Sequence, residues 1–138
     1  MTVRENFSEE SEQGGLCSFT EFDWGFYICI EKDAYVDRTL IIPMIERMTE
    51  LMIETNKECF LIHSKATRRA SSPFELVEYT EHLKQQKHGF VPKFAVIAPD
   101  FVKSVNLPFV DDLAYNRGIE MKFFSNKEKA ISWLKNED

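Results

Sequence analysis

Apolar residues recur along this chain in two different rhythms. Over 25–31, Phe26, Ile28 and Ile30 alternate with Tyr27, Cys29 and Glu31. That period of two predicts a strand with one buried face and one partly covered face. Residues 16–22 form a second strand candidate, and Asp23-Trp24 followed by Gly25 is a compact turn signal. The two strands are expected to pair as an antiparallel hairpin. Over 37–56 the spacing changes to three and four: Leu40, Ile41, Met44, Ile45, Met48, Leu51 and Met52 mark one helical face. Asp37 or Thr39 is the expected cap. Pro43 lies past the first turn, so an irregular opening turn or a kink is expected there.

The run Glu58-Cys-Phe-Leu-Ile-His63 has no polar alternation. A continuous apolar run suits a central parallel strand covered on both faces. A polar connection through Lys65, Arg68, Arg69, Ser71 and Ser72 follows. Ser72-Pro-Phe-Glu75 then reads as a capping box with Pro73 at the first helical position, and Gly89 as the left-handed end of that helix. Residues 94–98 repeat the buried-strand pattern. A helix interrupted at Pro108 and ended by Gly118 follows, then an alternating strand over 119–123. Ser125-Asn-Lys-Glu128 reads as a second capping box before Ala130, Ile131, Trp133 and Leu134.

Strands and helices thus alternate after an opening hairpin. The fold class is α/β, with a single mixed, mostly parallel sheet of about five strands and four helices. Polar, acidic residues 1–15 end in Gly14-Gly15 and read as a flexible tail; 16–138 read as one domain. At 138 residues such a domain buries enough surface for a core without staples.

Charge and cysteine usage narrow the chemistry. The net charge of -6 disfavours nucleic acid and anionic membrane as partners of the whole surface. No apolar run reaches membrane-spanning length, so a cytoplasmic location without membrane insertion is the expectation. Cys17, Cys29 and Cys59 are odd in number and far apart in sequence. Neither a disulfide framework nor a zinc site is suggested, and Cys29 and Cys59 read as small buried hydrophobes.

The order of elements resembles the STAS domain, the fold of bacterial anti-sigma-factor antagonists, which is also similar to the lipid-binding CRAL-TRIO domain. The closing stretch Gly118-Ile-Glu-Met-Lys-Phe-Phe-Ser-Asn-Lys-Glu-Lys-Ala-Ile-Ser-Trp-Leu134 carries the most telling local match. It is similar to the ending of STAS-like proteins of unassigned function. The resemblance spans about 16–134. It implies a bacterial regulatory domain with a serine, phosphorylated in the antagonists, at the start of the helix after the central strand. Ser71 and Ser72 occupy that place, but the Asp and Gly that flank the family's serines are absent from Arg68-Arg-Ala-Ser-Ser-Pro73.

The connection after the central strand is the expected site. Lys65, Arg68, Arg69, Ser71 and Ser72 would meet an anion or partner beside a helix N-terminus, where unpaired N–H groups and a partial positive charge lie. Ser71 and Ser72 are the candidate phosphosites. His63 and Ser64 are sequence neighbours and point to opposite faces of a strand, so they form no nucleophilic pair. His63 reads as structural, and His82 as lying on an exposed helix face. The five glycines, Gly14, Gly15, Gly25, Gly89 and Gly118, fit neither standard phosphate-loop spacing. A phospho-receiver domain would need an Asp where His63 ends the central strand.

The expectation is therefore a non-enzymatic regulatory or protein-interaction module, with no catalytic residue, metal or cofactor. Its partner is another protein or a second copy of itself, since an exposed hairpin edge or helix face offers a self-complementary patch for a homodimer. The alternatives are a small apolar-ligand or lipid-binding domain lined by Met44, Met48 and Met52, and a serine phospho-switch at the start of the second helix.

Overall fold

The computed structural model describes residues 3–5, 17–69, 82, 89, 92–99 and 120–136. A six-stranded sheet is ordered β1-β2-β3-β5-β7-β8. Its members are β1 (Val3–Glu5), β2 (Cys17–Phe22), β3 (Gly25–Ile30), β5 (Cys59–Ser64), β7 (Lys93–Ile97) and β8 (Glu120–Phe123). β1 and β3 flank β2 in antiparallel fashion, whereas β3, β5, β7 and β8 are mutually parallel. A separate two-stranded parallel ribbon joins β4 (Tyr35–Val36) to β6 (Arg68–Arg69). Two helices fall among the described residues, α1 (Arg38–Thr55) and α2 (Lys127–Leu134). The α/β class and the mostly parallel sheet are as the pattern implied. The helices expected to start at Ser72 and before Gly118 lie outside the described residues. Val3–Glu5, within the stretch read as a tail, runs alongside β2 at the sheet edge.

The hairpin turn needs a glycine. Phe22 and Gly25 are register partners across it, and Gly25 has φ of 150°. A Cβ at Gly25 would lie 2.1 Å from the Cys59 carbonyl oxygen, so β5 approaches the hairpin more closely than any side chain allows. Lys57 clamps the same corner, its Nζ donating to Glu21 Oε2 at 2.6 Å and to the Phe22 carbonyl at 3.0 Å.

The ends of α1 follow from local chemistry. Asp37 sits in extended conformation and its Oδ1 accepts from the Thr39 N–H at 3.0 Å. Asn56 closes the helix in the left-handed region, φ 60°, its N–H donating to the Met52 carbonyl at 2.8 Å. The expected irregular opening turn is absent, because α1 starts at Arg38 and runs unbroken through Pro43. Pro43 and Thr39 are both exposed, so the ring of Pro43 and the carbonyl it cannot bond lie on the outer side of the helix. The cap of α2 also differs from expectation. Asn126, not Ser125, is the N-cap and accepts from the Lys129 N–H at 3.0 Å. Glu128 is then one position too early to close a capping box.

Strand alternation gives the sheet two apolar faces. On one, Phe19, Phe26, Ile28, Phe60 and Phe94 pack against Leu40, Met44, Met48, Leu51 and Met52 of α1. Phe26, Phe60 and Phe94 form a row across three parallel strands, with successive ring centroids 5.5 Å apart. The methionine stripe is thus packed into the core, Met48 and Met52 being 1% and 0% exposed. On the other face, Leu61, Ala95 and Ile97 pack against Ala130 and Leu134 of α2, with Trp24, Tyr27 and Cys59 at the margin. Consecutive residues Phe60 and Leu61 are both fully buried, one toward each face. β5 is therefore mid-sheet and covered on both sides, as its unbroken apolar run required.

Candidate functional site

The carboxyl ends of β3 and β5 lie side by side, because the two strands are parallel and in register from Phe26↔Phe60 to Ile30↔Ser64. Open parallel sheets place their binding sites at such ends. The chains leaving them do not splay apart. The Lys65 N–H donates to the Ile30 carbonyl at 2.9 Å, one residue past β5. After a turn closed by the Ala34 N–H on the Glu31 carbonyl at 3.1 Å, β4 pairs with β6 through Tyr35↔Arg68 and Val36↔Arg69. Buried Ala34 and Ala66, together with half-buried Val36, root this ribbon in the core.

The ribbon presents charge and an aromatic ring. Lys32, Asp33, Lys65, Thr67 and Arg68 are exposed, and Tyr35 is 45% exposed. Arg68 is held in place, its Nη2 donating to the Asp33 carbonyl at 2.5 Å. Of the five residues expected to form the site, Lys65 and Arg68 thus share this rim. Arg69 contributes its backbone to β6. Ser71 and Ser72 lie outside the described residues.

A second constellation sits beside the rim, on the α2 side of the sheet. Tyr27, Cys29 and Glu31 share the face of β3 opposite the phenylalanine row. Register places Cys29 next to His63 of β5. Tyr27 Oη lies 2.9 Å from His63 Nδ1, and the two rings meet edge-on at 6.0 Å. Cys29 Sγ donates to Glu31 Oε2 at 3.5 Å. Lys127, the first residue of α2, places Nζ 4.3 Å from the centre of the Tyr27 ring. α2 is held in this direction by its other end, where Lys93 Nζ donates to the Trp133 carbonyl and to Asn136 Oδ1, both at 2.8 Å.

Burial makes this constellation neutral at its centre. It pushes the Tyr27 phenol up to about 12, with Cys29 and Glu31 adding to the effect. It raises the Cys29 thiol, to which the Glu31 carboxylate contributes. It lowers the His63 imidazole, and the ammonium groups of Lys65 and Lys127 lower it further. At neutral pH the phenol, thiol and imidazole are all uncharged. A protonated thiol is a poor nucleophile. Among the described residues no group of three His, Cys, Asp or Glu side chains has the geometry to hold a metal ion. No helix among them is long and apolar enough to cross a membrane.

His63, expected to end the central strand, is its penultimate residue, and the sequence reading named no partner for it. Its partner was visible only as the polar half of the Tyr27, Cys29, Glu31 alternation. The position of His82 differs from expectation: it is half-buried beside α1, Nε2 lying 3.7 Å from Glu46 Oε2. No family model, curated protein or solved structure matches this chain.

Proposed function

We propose that this chain is a regulatory binding module of STAS-like type, without catalytic activity of its own, that docks an acidic segment of a partner protein on the β4–β6 rim. One observation carries the reading: the Tyr35↔Arg68 pairing sets an exposed aromatic ring and an anchored guanidinium side by side beyond the end of the sheet. Tyr and Arg are the side chains on which protein interfaces most often depend, because they bring large contact area and directed hydrogen bonds. Lys32 and Lys65 add positive charge to the rim of a chain whose net charge is -6, which favours an acidic partner and steers its approach. The Cys29 thiol, held protonated by burial and by the neighbouring Glu31 carboxylate, agrees with a role in recognition.

The test begins with a photo-crosslinking side chain at position 35 in the native host. The captured protein is then purified and titrated against the chain by calorimetry. Arg68→Glu is expected to weaken binding about tenfold or more, equivalent to about 1.4 kcal/mol. Lys135→Glu, at the opposite end of α2, serves as the control. Equal affinity for wild type and Arg68→Glu would remove the rim from the proposal.

A further inference from the structure

We infer that His63, Lys65 and Lys127 form a site for a phosphoryl group, where the first turn of α2 meets β3 and the carboxyl end of β5. Two elements supply the donors, β5 with its exit and the first turn of α2, and β3 supplies the Tyr27 that links them. Lys127 reaches over the Tyr27 ring, 4.3 Å from its centre, and Tyr27 in turn bonds His63 Nδ1 at 2.9 Å. Lys65 leaves the same strand two residues beyond His63 and is exposed. Among the described residues, neither ammonium has a carboxylate within ion-pair distance, and His63 Nε2 makes no hydrogen bond. Among the described residues, Tyr27 and Cys29 of β3 and Glu31 directly after it also face the site. Glu31 accepts only a weak bond from the Cys29 thiol and opposes an anion, so both lysines are required to outweigh it.

The hydrogen-bond chain orients the imidazole. The Tyr27 phenol and His63 Nδ1 share a hydrogen bond that holds the ring, so Nε2 is the nitrogen left for a ligand, a donor in the tautomer protonated there and in the imidazolium. The site then offers two ammonium groups and one N–H. A carboxylate carries one charge and would satisfy one ammonium. A phosphomonoester or inorganic phosphate carries nearly two charges at neutral pH, matches both ammonium groups, and has three terminal oxygens for three donors. Bound there, its charge would offset the two lysines that now disfavour protonation of His63.

This site is distinct from the docking rim except for Lys65, and its test does not involve Arg68. The full chain is followed by NMR at the imidazole carbons, with His63 assigned through His63→Gln. Its titration midpoint is measured in chloride, in inorganic phosphate and in phenyl phosphate at matched ionic strength. In chloride the midpoint is expected below 6.5. Either phosphate is expected to raise it by about half a unit or more, and the ranking of the two probes tells free phosphate from a phosphomonoester. In Lys65→Gln/Lys127→Gln the chloride midpoint should rise and the response to phosphate should disappear. A His63 midpoint identical in all three solutions would overturn the inference. So would a phosphate response that survives loss of both lysines.

Discussion

Gly25→Ala isolates the approach of the hairpin to the central strand. Two costs are expected. The first is conformational: φ of 150° is a region that L side chains rarely adopt, costing about 1–3 kcal/mol. The second is steric: the new methyl carbon would fall 2.1 Å from the Cys59 carbonyl oxygen and 2.9 Å from its carbonyl carbon. Both are backbone atoms of β5, so relief requires the strand itself to move, at the cost of pairing with β3. Gly89→Ala separates the two contributions. Gly89 also has positive φ, 87°, but a Cβ there meets nothing within 4 Å. Gly89→Ala should therefore cost only about 1–2 kcal/mol, the backbone part alone. Gly25→Ala should cost about 3 kcal/mol or more, among the large values for single substitutions. Urea unfolding with the midpoint and slope fitted separately measures both. If Gly25→Ala costs no more than Gly89→Ala, β5 does not press against the hairpin, and the proposed packing of the central strand is wrong.

Other outcomes follow from named groups. His63 has a depressed pKa in the fold, so the unfolded chain binds its proton more readily; stability should fall as pH drops below 6.5 and level off beneath the folded value. Subtracting the pH–stability curve of His63→Gln from that of wild type should expose this slope, and parallel curves would contradict it. Burial holds the Cys17 thiol up to about 12, so a thiol reagent at neutral pH should leave Cys17 unmodified in the native state and label all three cysteines after unfolding; labelling mapped by mass spectrometry decides this. Asp37→Ala removes the acceptor for the Thr39 N–H and should lower stability by about 1 kcal/mol, whereas Asp37→Asn should retain most of it; equal losses in denaturant melts would rule out the cap.

The sequence carried most of the scaffold because each long element announces its own period. Residues 59–62 lack alternation because Phe60 and Leu61 are buried toward opposite faces. The stripe from Leu40 to Met52 is helical in spacing because one side of α1 covers the phenylalanine row. The site was less legible. Tyr35–Val36 and Arg68–Arg69 are strands of two residues, too short to show any period, and they become strands only because β3 and β5 bring their loops together. Val3–Glu5 is scarcely longer. Ser125 and Asn126 are both good caps; Glu128 pointed to Ser125 through the capping-box spacing, but the chain uses Asn126. The Tyr27–His63 contact depends on register between strands separated by the whole of α1. The alternation of Tyr27, Cys29 and Glu31 marked a face, but nothing in it named the facing residue.

The rim and the neighbouring imidazole site both require β5 to lie beside β3, parallel and in the register that sets Cys29 against His63. Cross-strand backbone NOEs in isotope-labelled protein, read together with amide exchange, test that arrangement. Parallel connectivities joining 28–30 to 62–64, with the amides of 60–62 among the slowest to exchange, are expected. Antiparallel connectivities, or fast exchange across 60–62, would contradict it.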